Sequence, residues 1–226
     1  SSIDTISKLN EQISRHTGSN PPAMDMEHVH DYRGAQFIGI IYDAVRKHQT
    51  IIIEYQSFKA QQPEALTVYP YLLKEYRNRW FLIAEKASNR TPKVNIFALD
   101  RIHCVKIDKE HPFRKCVAFD AEHFFDDTIG VTRQIGDKAK RVVVKIDRQQ
   151  APYVESKPFH KSQKVEQRLH DGSILLSLKV VINNELERLI LGYGGHAEVM
   201  APPEFRAKVA ESISRASSNY GLRPEE

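Results

Sequence analysis

The spacing of apolar residues divides the chain into a helical beginning and a long run of strands with a few helices. Apolar side chains recur every three or four positions from Ser2 to His16 and from Ala35 to Lys47, which predicts two helices. Segment 18–22, with one glycine and two prolines, ends the first helix because these residues do not continue one. Neither helix has enough apolar surface for a core of its own. We therefore interpret residues 1–48 as a helical connector.

From Thr50 onward the apolar pattern has the period of β-strands. Short β-branched and aromatic runs follow one another with polar, proline-containing loops between them and no helices. This pattern is typical of a small barrel or sandwich over residues 49–108, and closure into a barrel would leave no exposed strand edge. The predicted strands are Thr50–Tyr55, Leu66–Lys74, Arg79–Ala84, Val94–Leu99 and Ile102–Ile107. Alternation in the second run places Val68, Pro70 and Leu72 on one face and Tyr69, Tyr71 and Leu73 on the other.

Residues 109–138 break this regularity with a proline, two glycines and charges scattered among aromatic residues. We interpret the segment as an interdomain linker with one short helix near Ala121–Asp126. Its phenylalanines, Phe119, Phe124 and Phe125, are expected to dock the linker on a neighbouring surface.

The last part of the chain, residues 139–226, alternates between strands and helices. Asp171-Gly172 is a strong hairpin signal, and Asn183 or Asn184 is placed to cap a helix. The order β-α-β-β-α-β predicts a ferredoxin-like domain, so the fold class is α+β with two domains. The predicted strands are Lys140–Ile146, Gln163–Leu169, Ile174–Val181 and Ala197–Met200, and the helices are Ala151–Ser156, Glu185–Leu191 and Glu204–Tyr220.

The composition is that of an ordinary globular protein, with 41% apolar and 27% charged residues. A formal net charge of +4 permits an anionic partner without requiring one. The two cysteines, Cys104 and Cys116, form no CxxC pair, which suggests a reducing cytoplasm. With no signal peptide and no apolar run of the roughly 18 residues that a membrane span needs, we expect a cytoplasmic protein.

The sequence carries none of the common enzyme motifs: GxGxxG after a strand, GxxxxGK[ST], HExxH or GxSxG. The glycine-rich segment 192–195 follows a predicted helix, so we interpret it as the end of that helix. The histidines lack the spacing of metal ligands, and His103 and Cys104 point to opposite faces of a strand. We therefore expect no enzyme, no metal and no cofactor.

Aromatic and basic residues concentrate on the predicted barrel. Trp80, the only tryptophan, lies between Arg77 and Arg79 on one side and an apolar run on the other. Aromatic faces stack on bases, at about 1–3 kcal/mol each, while arginine forks bind phosphates, so this content favours a nucleic-acid or nucleotide partner. The alternative is that the rings only fill a small core.

Four segments of the barrel, in this order, resemble the WYL domain: 52–57, 68–73, 79–84 and 97–102. The family is named for a Trp-Tyr-Leu triplet, which here is Trp80-Phe81-Leu82, so the phenolic hydroxyl is missing. Segments 160–163, 171–173 and 191–199, with the prolines that follow, are similar to the WCX extension that often follows WYL domains.

The resemblance implies an Sm-like or SH3-like barrel that binds single-stranded nucleic acid or a nucleotide in a bacterial transcriptional regulator, often a homodimer. In typical members a winged helix-turn-helix domain precedes the barrel and binds duplex DNA. The first 48 residues hold no complete helix-turn-helix, and the chain begins with Ser rather than Met. We therefore expect that this domain was removed or is lacking.

Carried onto this sequence, the resemblance gives seven candidate ligand-binding residues: Tyr55, Ser57, Tyr71, Lys74, Arg79, Trp80 and Arg101. Arg79 and Arg101 would contact phosphate, and Ser57 and Tyr71 would hydrogen-bond to phosphate or a base. For Trp80 the alternative is core packing, and for Arg101 it is an ion pair with a nearby carboxylate.

Two other functions stay open at this stage. The chain could be a dimerisation or interaction module that positions a separate DNA-binding domain without sensing a ligand. An enzyme acting on nucleotides would need a carboxylate cluster near the basic face, and the sequence shows none with the spacing of a known motif.

Overall fold

The protein has a mixed α+β architecture with two antiparallel sheets, seen here in a computed structural model that describes residues 33–221. The strands are β1 (Ile51–Tyr55), β2 (Glu64–Tyr76), β3 (Arg79–Lys86), β4 (Asn95–Ala98), β5 (Ile102–Ile107), β6 (Lys140–Ile146), β7 (Lys164–Arg168), β8 (Ile174–Val180) and β9 (Ala197–Ala201). The α-helices are α1 (Ile38–Lys47), α2 (Ala151–Ser156), α3 (Asn184–Leu191) and α4 (Pro203–Asn219). The predicted helix at Ser2–His16 lies outside the described residues.

The first sheet has the strand order β4-β3-β2-β1-β5 and packs one face against α1. Alternate residues of β1, such as Ile51 and Ile53, are fully buried there beside Ile41 and Ala44 of the helix. Gly34 precedes the 3-10 turn Ala35–Phe37, which leads into the helix. Glycine is required at this position because a Cβ would lie 2.2 Å from the Leu99 carbonyl oxygen. The predicted helix therefore covers the sheet.

The prediction of a closed barrel was wrong. β4 pairs with β3 and β5 pairs with β1, and no pairing joins β4 to β5 in the described part of the chain. β4 and β5 are consecutive in the chain and are joined by a single 3-10 turn, Leu99–Arg101. They nevertheless lie at opposite edges of the sheet. The buried face is covered by α1 rather than sealed by a further strand pairing.

The strict alternation predicted for β2 was also wrong. The register between β2 and β3 shifts between Pro70 and Leu72, which leaves Tyr71 as an extra residue in a bulge. As a result Tyr71 and Leu72 both pack on the face opposite to α1, while Leu73 turns to the helix side. Sequence alternation does not reveal such an extra residue.

That opposite face is covered by the linker, residues 109–138. Phe119 and Phe124 are buried there against Ile83 and Val94, as predicted for the linker phenylalanines. The predicted helix at Ala121–Asp126 is absent, and these residues form turns instead. Further along, Ile129 joins the core of the second sheet. The linker is therefore packed on both halves of the protein.

The second sheet has the strand order β7-β8-β6-β9, with every neighbouring pair antiparallel. Its predicted core residues on β6, Val142, Val144 and Ile146, are fully buried, together with Phe205 of α4. At the β7–β8 hairpin, Gly172 has a φ of 82°, a conformation that glycine adopts without strain. The finer classification of this half as ferredoxin-like stays a prediction.

Asn183 joins the linker to α3. Its Oδ1 accepts a hydrogen bond from the Leu186 backbone N–H at 2.9 Å, which caps the helix. Its Nδ2 donates to the carbonyl oxygens of Ile129 at 2.8 Å and Thr132 at 3.0 Å. Of the two asparagines that the sequence offered as caps, the structure selects Asn183.

Replacing Asn183 with alanine should lower the free energy of unfolding by about 2–3 kcal/mol, because the helix loses its cap and a buried carbonyl loses its donor. Asn183→Ser, which keeps a capping oxygen, should cost roughly half as much. Urea denaturation measures both. The control is the exposed neighbour Asn184→Ala; equal losses at positions 183 and 184 would contradict the assignment.

Candidate anion-binding site

A basic cavity of about 410 Å³ lies between the end of the β2–β3 hairpin, the linker and helix α3. We call it the basic cavity because four arginines line it against one glutamate. Its lining residues are Tyr76, Arg77, Arg79, Phe81, Ile96, Arg101, Val131, Thr132, Glu185 and Arg188. Two of the seven predicted site residues, Arg79 and Arg101, therefore meet in one cavity.

The β2–β3 hairpin places Arg77 and Arg79 at the rim. Arg77 and Asn78 form its two-residue loop, and both have positive φ angles, 51° and 59°, as the tightest hairpin loops require. The Arg77 guanidinium lies 5.5 Å from the ring centre of Tyr76. The backbone geometry of the turn thus sets the position of an exposed arginine.

The charge of Arg79 is neutralised by Asp100, which lies beside it in the folded chain. Its Nε and Nη2 donate to Asp100 Oδ1 at 3.1 and 3.0 Å, and Nη2 also donates to Oδ2 at 2.8 Å. The pair is partly exposed, with 37% of the arginine and 30% of the aspartate side chain accessible. The ion pair considered for Arg101 in the sequence is made by Arg79 instead.

Arg101 keeps its charge without a carboxylate partner among residues 33–221. Its guanidinium lies between two rings, 4.3 Å from the centre of Phe58 and 5.5 Å from that of Tyr55. Its Nε is buried with no hydrogen-bond partner in the described structure. Because no carboxylate of the described residues is paired with it, the charge of this side chain remains available to an anion in the basic cavity.

The linker and α3 close the other side of the basic cavity. Glu185 Oε1 accepts hydrogen bonds from the backbone N–H groups of Val131 and Thr132, at 3.2 and 3.0 Å, and from Thr132 Oγ1 at 2.9 Å. Gly130 permits this approach, since a Cβ there would lie 2.4 Å from Glu185 Cγ and its φ is 88°. Exposed Arg188 adds a fourth positive charge.

Tyr71 and Lys74 lie elsewhere, beneath the linker. The Tyr71 hydroxyl donates to Glu85 Oε2 at 2.9 Å, and Arg114 of the linker pairs with the same buried carboxylate at 3.1 Å. Burial and the Glu85 hydrogen bond raise the pKa of Tyr71, so its hydroxyl stays protonated. Lys74 Nζ lies 4.7 Å from the Phe125 ring centre, and burial lowers its pKa. Both residues hold the linker and do not line the basic cavity.

The remaining predicted residues divide between the core and a second, smaller cavity. Trp80 packs against the core beneath α1, on the opposite side of β3 from Arg79. Tyr55 and Ser57 line a cavity of about 230 Å³, which shares Ile96 with the basic cavity. Tyr55 also contacts Arg101, so it joins the two.

Arg188, Thr132 and Glu185 also line the basic cavity but were not among the residues predicted from the sequence, because they lie far along the chain from the barrel motifs. No local signal marks them, since a basic residue in a short helix is ordinary. Among the described residues, no group of three His, Cys, Asp or Glu side chains could hold a metal ion. Within the same residues, no helix is long and apolar enough to cross a membrane.

The opposite orientations of Trp80 and Arg79 give different expectations for stability. Trp80→Ala should lower the free energy of unfolding by about 2–4 kcal/mol, because it leaves a hole in the core. Arg79→Ala, which breaks a partly exposed ion pair, should cost less than about 1 kcal/mol. Urea denaturation followed by circular dichroism compares the two; a Trp80 variant as stable as the parent chain would refute core packing.

Two domain families match the chain. The WYL domain matches residues 36–107, and the WCX domain matches residues 138–217. No curated protein matches the chain.

Two solved structures are similar over most of the chain. One is the proteasome accessory factor B/C (PafBC) of Arthrobacter aurescens, with 21% identity, a TM-score of 0.35, and coverage of 83% of this chain and 27% of that one. The other is a CRISPR Cas-related protein, with 10% identity, a TM-score of 0.48, and coverage of 81% and 50%. This chain thus spans less than two thirds of either protein.

The two family matches fall on the two sheets, and the linker separates them. The first contains the Trp80-Phe81-Leu82 triplet on β3, and the second contains α3 with Arg188. The chain therefore contains a WYL domain followed by a WCX domain.

Proposed function

We propose that this chain is the ligand-sensing part of a bacterial transcriptional regulator and that it binds a short single-stranded nucleic acid or a nucleotide in the basic cavity. The observation that carries the proposal is Arg101, which lines a cavity together with three other arginines and has no carboxylate partner among residues 33–221. WYL and WCX domains support a regulatory sensing or interaction role.

The charge balance of the basic cavity favours an anion. Four arginines line the cavity, while Asp100 is engaged by Arg79 and one Glu185 oxygen by the linker. Arginine binds phosphate through paired N–H donors, and a volume of about 410 Å³ is within the range of small-ligand sites. A phosphate-bearing ligand of nucleotide size fits both properties.

Binding there would couple the two domains. The basic cavity is lined by the WYL sheet, by the linker and by α3 of the WCX domain, so one ligand would touch all three. A ligand changes an arrangement only when it binds one arrangement more tightly than another. A phosphate bound by both Arg101 and Arg188 would favour the domain arrangement in which these two arginines line one cavity. Residues 1–48 would transmit this change to a DNA-binding domain. That domain would bind duplex DNA as part of a homodimer.

We further propose that the chain is not an enzyme. Of the carboxylates nearest the basic cavity, Asp100 is engaged in an ion pair and Glu185 Oε1 in linker hydrogen bonds, while Glu185 Oε2 is buried without a hydrogen-bond partner in the described structure; this does not favour acid–base chemistry on a bound nucleotide. The Sm-like or SH3-like class of the first domain and the ferredoxin-like class of the second belong to the same proposal.

Binding is tested by fluorescence anisotropy with labelled single-stranded oligonucleotides at low and high salt. We expect affinity to fall as salt rises, because phosphate binding releases counterions. Arg101→Ala should weaken binding roughly tenfold at low salt, since it removes charged hydrogen bonds to phosphate. Lys164→Ala on exposed β7 is the matched control. An oligonucleotide that fails to bind at low salt, or binds Arg101→Ala unchanged, contradicts the proposal.

Asp100→Asn should have the opposite effect. The change removes the carboxylate charge that neutralises Arg79, so the basic cavity becomes more positive. We expect affinity for the same oligonucleotide to rise by a factor of roughly three to ten at low salt, with a steeper salt dependence. Weaker binding would show that the Arg79–Asp100 pair positions the site rather than masking a charge.

The alternative is a dimerisation or interaction module without a ligand. It predicts a stable dimer by light scattering together with a melting temperature that no oligonucleotide or nucleotide changes. A ligand-dependent rise in melting temperature that Arg101→Ala abolishes would exclude this alternative, because a ligand stabilises the folded state that binds it.

A further inference from the structure

Phe58 is an unusually exposed aromatic residue beside the basic cavity. It lies in the loop between β1 and β2, and 82% of it is accessible to solvent. Most large apolar side chains of the described structure are buried in one of three clusters. An aromatic ring left in water at the edge of a charged cavity has an unused binding surface.

Local hydrogen bonds hold the loop that carries this ring. The Gln56 side-chain amide donates to the carbonyl oxygens of Ala60 and Gln61, both at 3.2 Å. The Gln56 backbone N–H donates to the Arg101 carbonyl oxygen at 3.1 Å, and the Ala60 backbone N–H donates to the Ser57 carbonyl oxygen at 3.0 Å. The loop is therefore tied to the turn that carries Arg101.

The ring of Phe58 and the charge of Arg101 form one unit. The guanidinium carbon lies 4.3 Å from the ring centre, within the range of a cation–π contact. This contact occupies one face of the ring. The exposure of Phe58 leaves the opposite face open to solvent, next to a cation that lines the basic cavity.

We propose that Phe58 is a stacking platform for a nucleobase of the ligand, whose adjoining phosphate is bound by Arg101. A base stacked on the open face would complete a layer of cation, ring and base, while its phosphate lies within the arginines of the basic cavity. Phe58 would then make the site select nucleotides over other polyanions. This inference rests on the proposed function and adds the class of group that the ligand must carry.

An apolar protein surface is a weaker occupant for the same ring. Arg101 and the other arginines of the basic cavity would be desolvated against apolar side chains, which is unfavourable without a counter-charge. A nucleobase joined to phosphate supplies an aromatic face and a negative charge together. Base–aromatic stacking is also tolerant of sequence, so it needs no partner of defined shape.

The test compares two labelled oligonucleotides of equal length, oligothymidylate and a strand whose inner positions are abasic. Both carry the same phosphates, and only the first carries bases throughout. We expect Phe58→Ala and Phe58→Leu to weaken oligothymidylate binding roughly tenfold and to leave binding of the abasic strand unchanged. Phe58→Trp should bind at least as tightly as the parent chain, and Lys59→Ala in the same loop is the control.

The outcomes separate this inference from the proposed function. Equal losses for both strands in the Phe58 variants would show that the ring only positions Arg101, and that result overturns the inference. The inference also fails if the Phe58 variants bind both strands like the parent chain while Arg101→Ala weakens both. If Arg101→Ala binds both strands like the parent chain, the proposed function itself fails. Circular dichroism of each variant checks that the chain is folded.

Discussion

Burial of the first sheet on both faces is the constraint from which the rest of the architecture follows. One face packs on α1 and the other on the aromatic residues of the linker. β3 therefore alternates between two apolar environments, with Leu82 on the helix side and Ile83 on the linker side, both fully buried. The polar side chains of β3 lie near its two ends. Arg79, its first residue, is partly exposed, whereas Glu85 is buried and held by polar partners.

The linker is held by polar contacts as well as by its phenylalanines. Buried Glu85 is satisfied from two directions, by the Tyr71 hydroxyl and by Arg114 of the linker. Removing either donor would leave a charged group with fewer partners in a low-dielectric region, which is costly. Tyr71 thus joins the first sheet to the linker, and Lys74 lies against Phe125 of the linker, so neither residue lines the basic cavity.

The charge of the basic cavity depends on which of its arginines is paired with a carboxylate. Asp100 binds Arg79 through both of its oxygens, and its immediate neighbour Arg101 lies between two rings without an acidic partner in the part of the chain that the structure describes. The same 3-10 turn thus supplies the carboxylate that neutralises Arg79 of β3 and the available cation, Arg101. Arg188 comes from the WCX domain, so the charge of the site depends on the contact between the two domains. Such a composite site is suited to sensing, because its occupancy and the domain arrangement are linked.

The sequence by itself determined the element types outside the linker, the strand order along the chain, the core residues of β6 and the family resemblance, because apolar periodicity and turn residues are local properties. It also offered Arg79 and Arg101 as candidates, and the structure brings both to the basic cavity. Only the tertiary structure decided the open first sheet, the bulge at Tyr71, the partner of Arg79 and the contribution of Arg188. These features arise from contacts between residues far apart in the chain, and no local pattern encodes which carboxylate or ring will lie beside a given arginine.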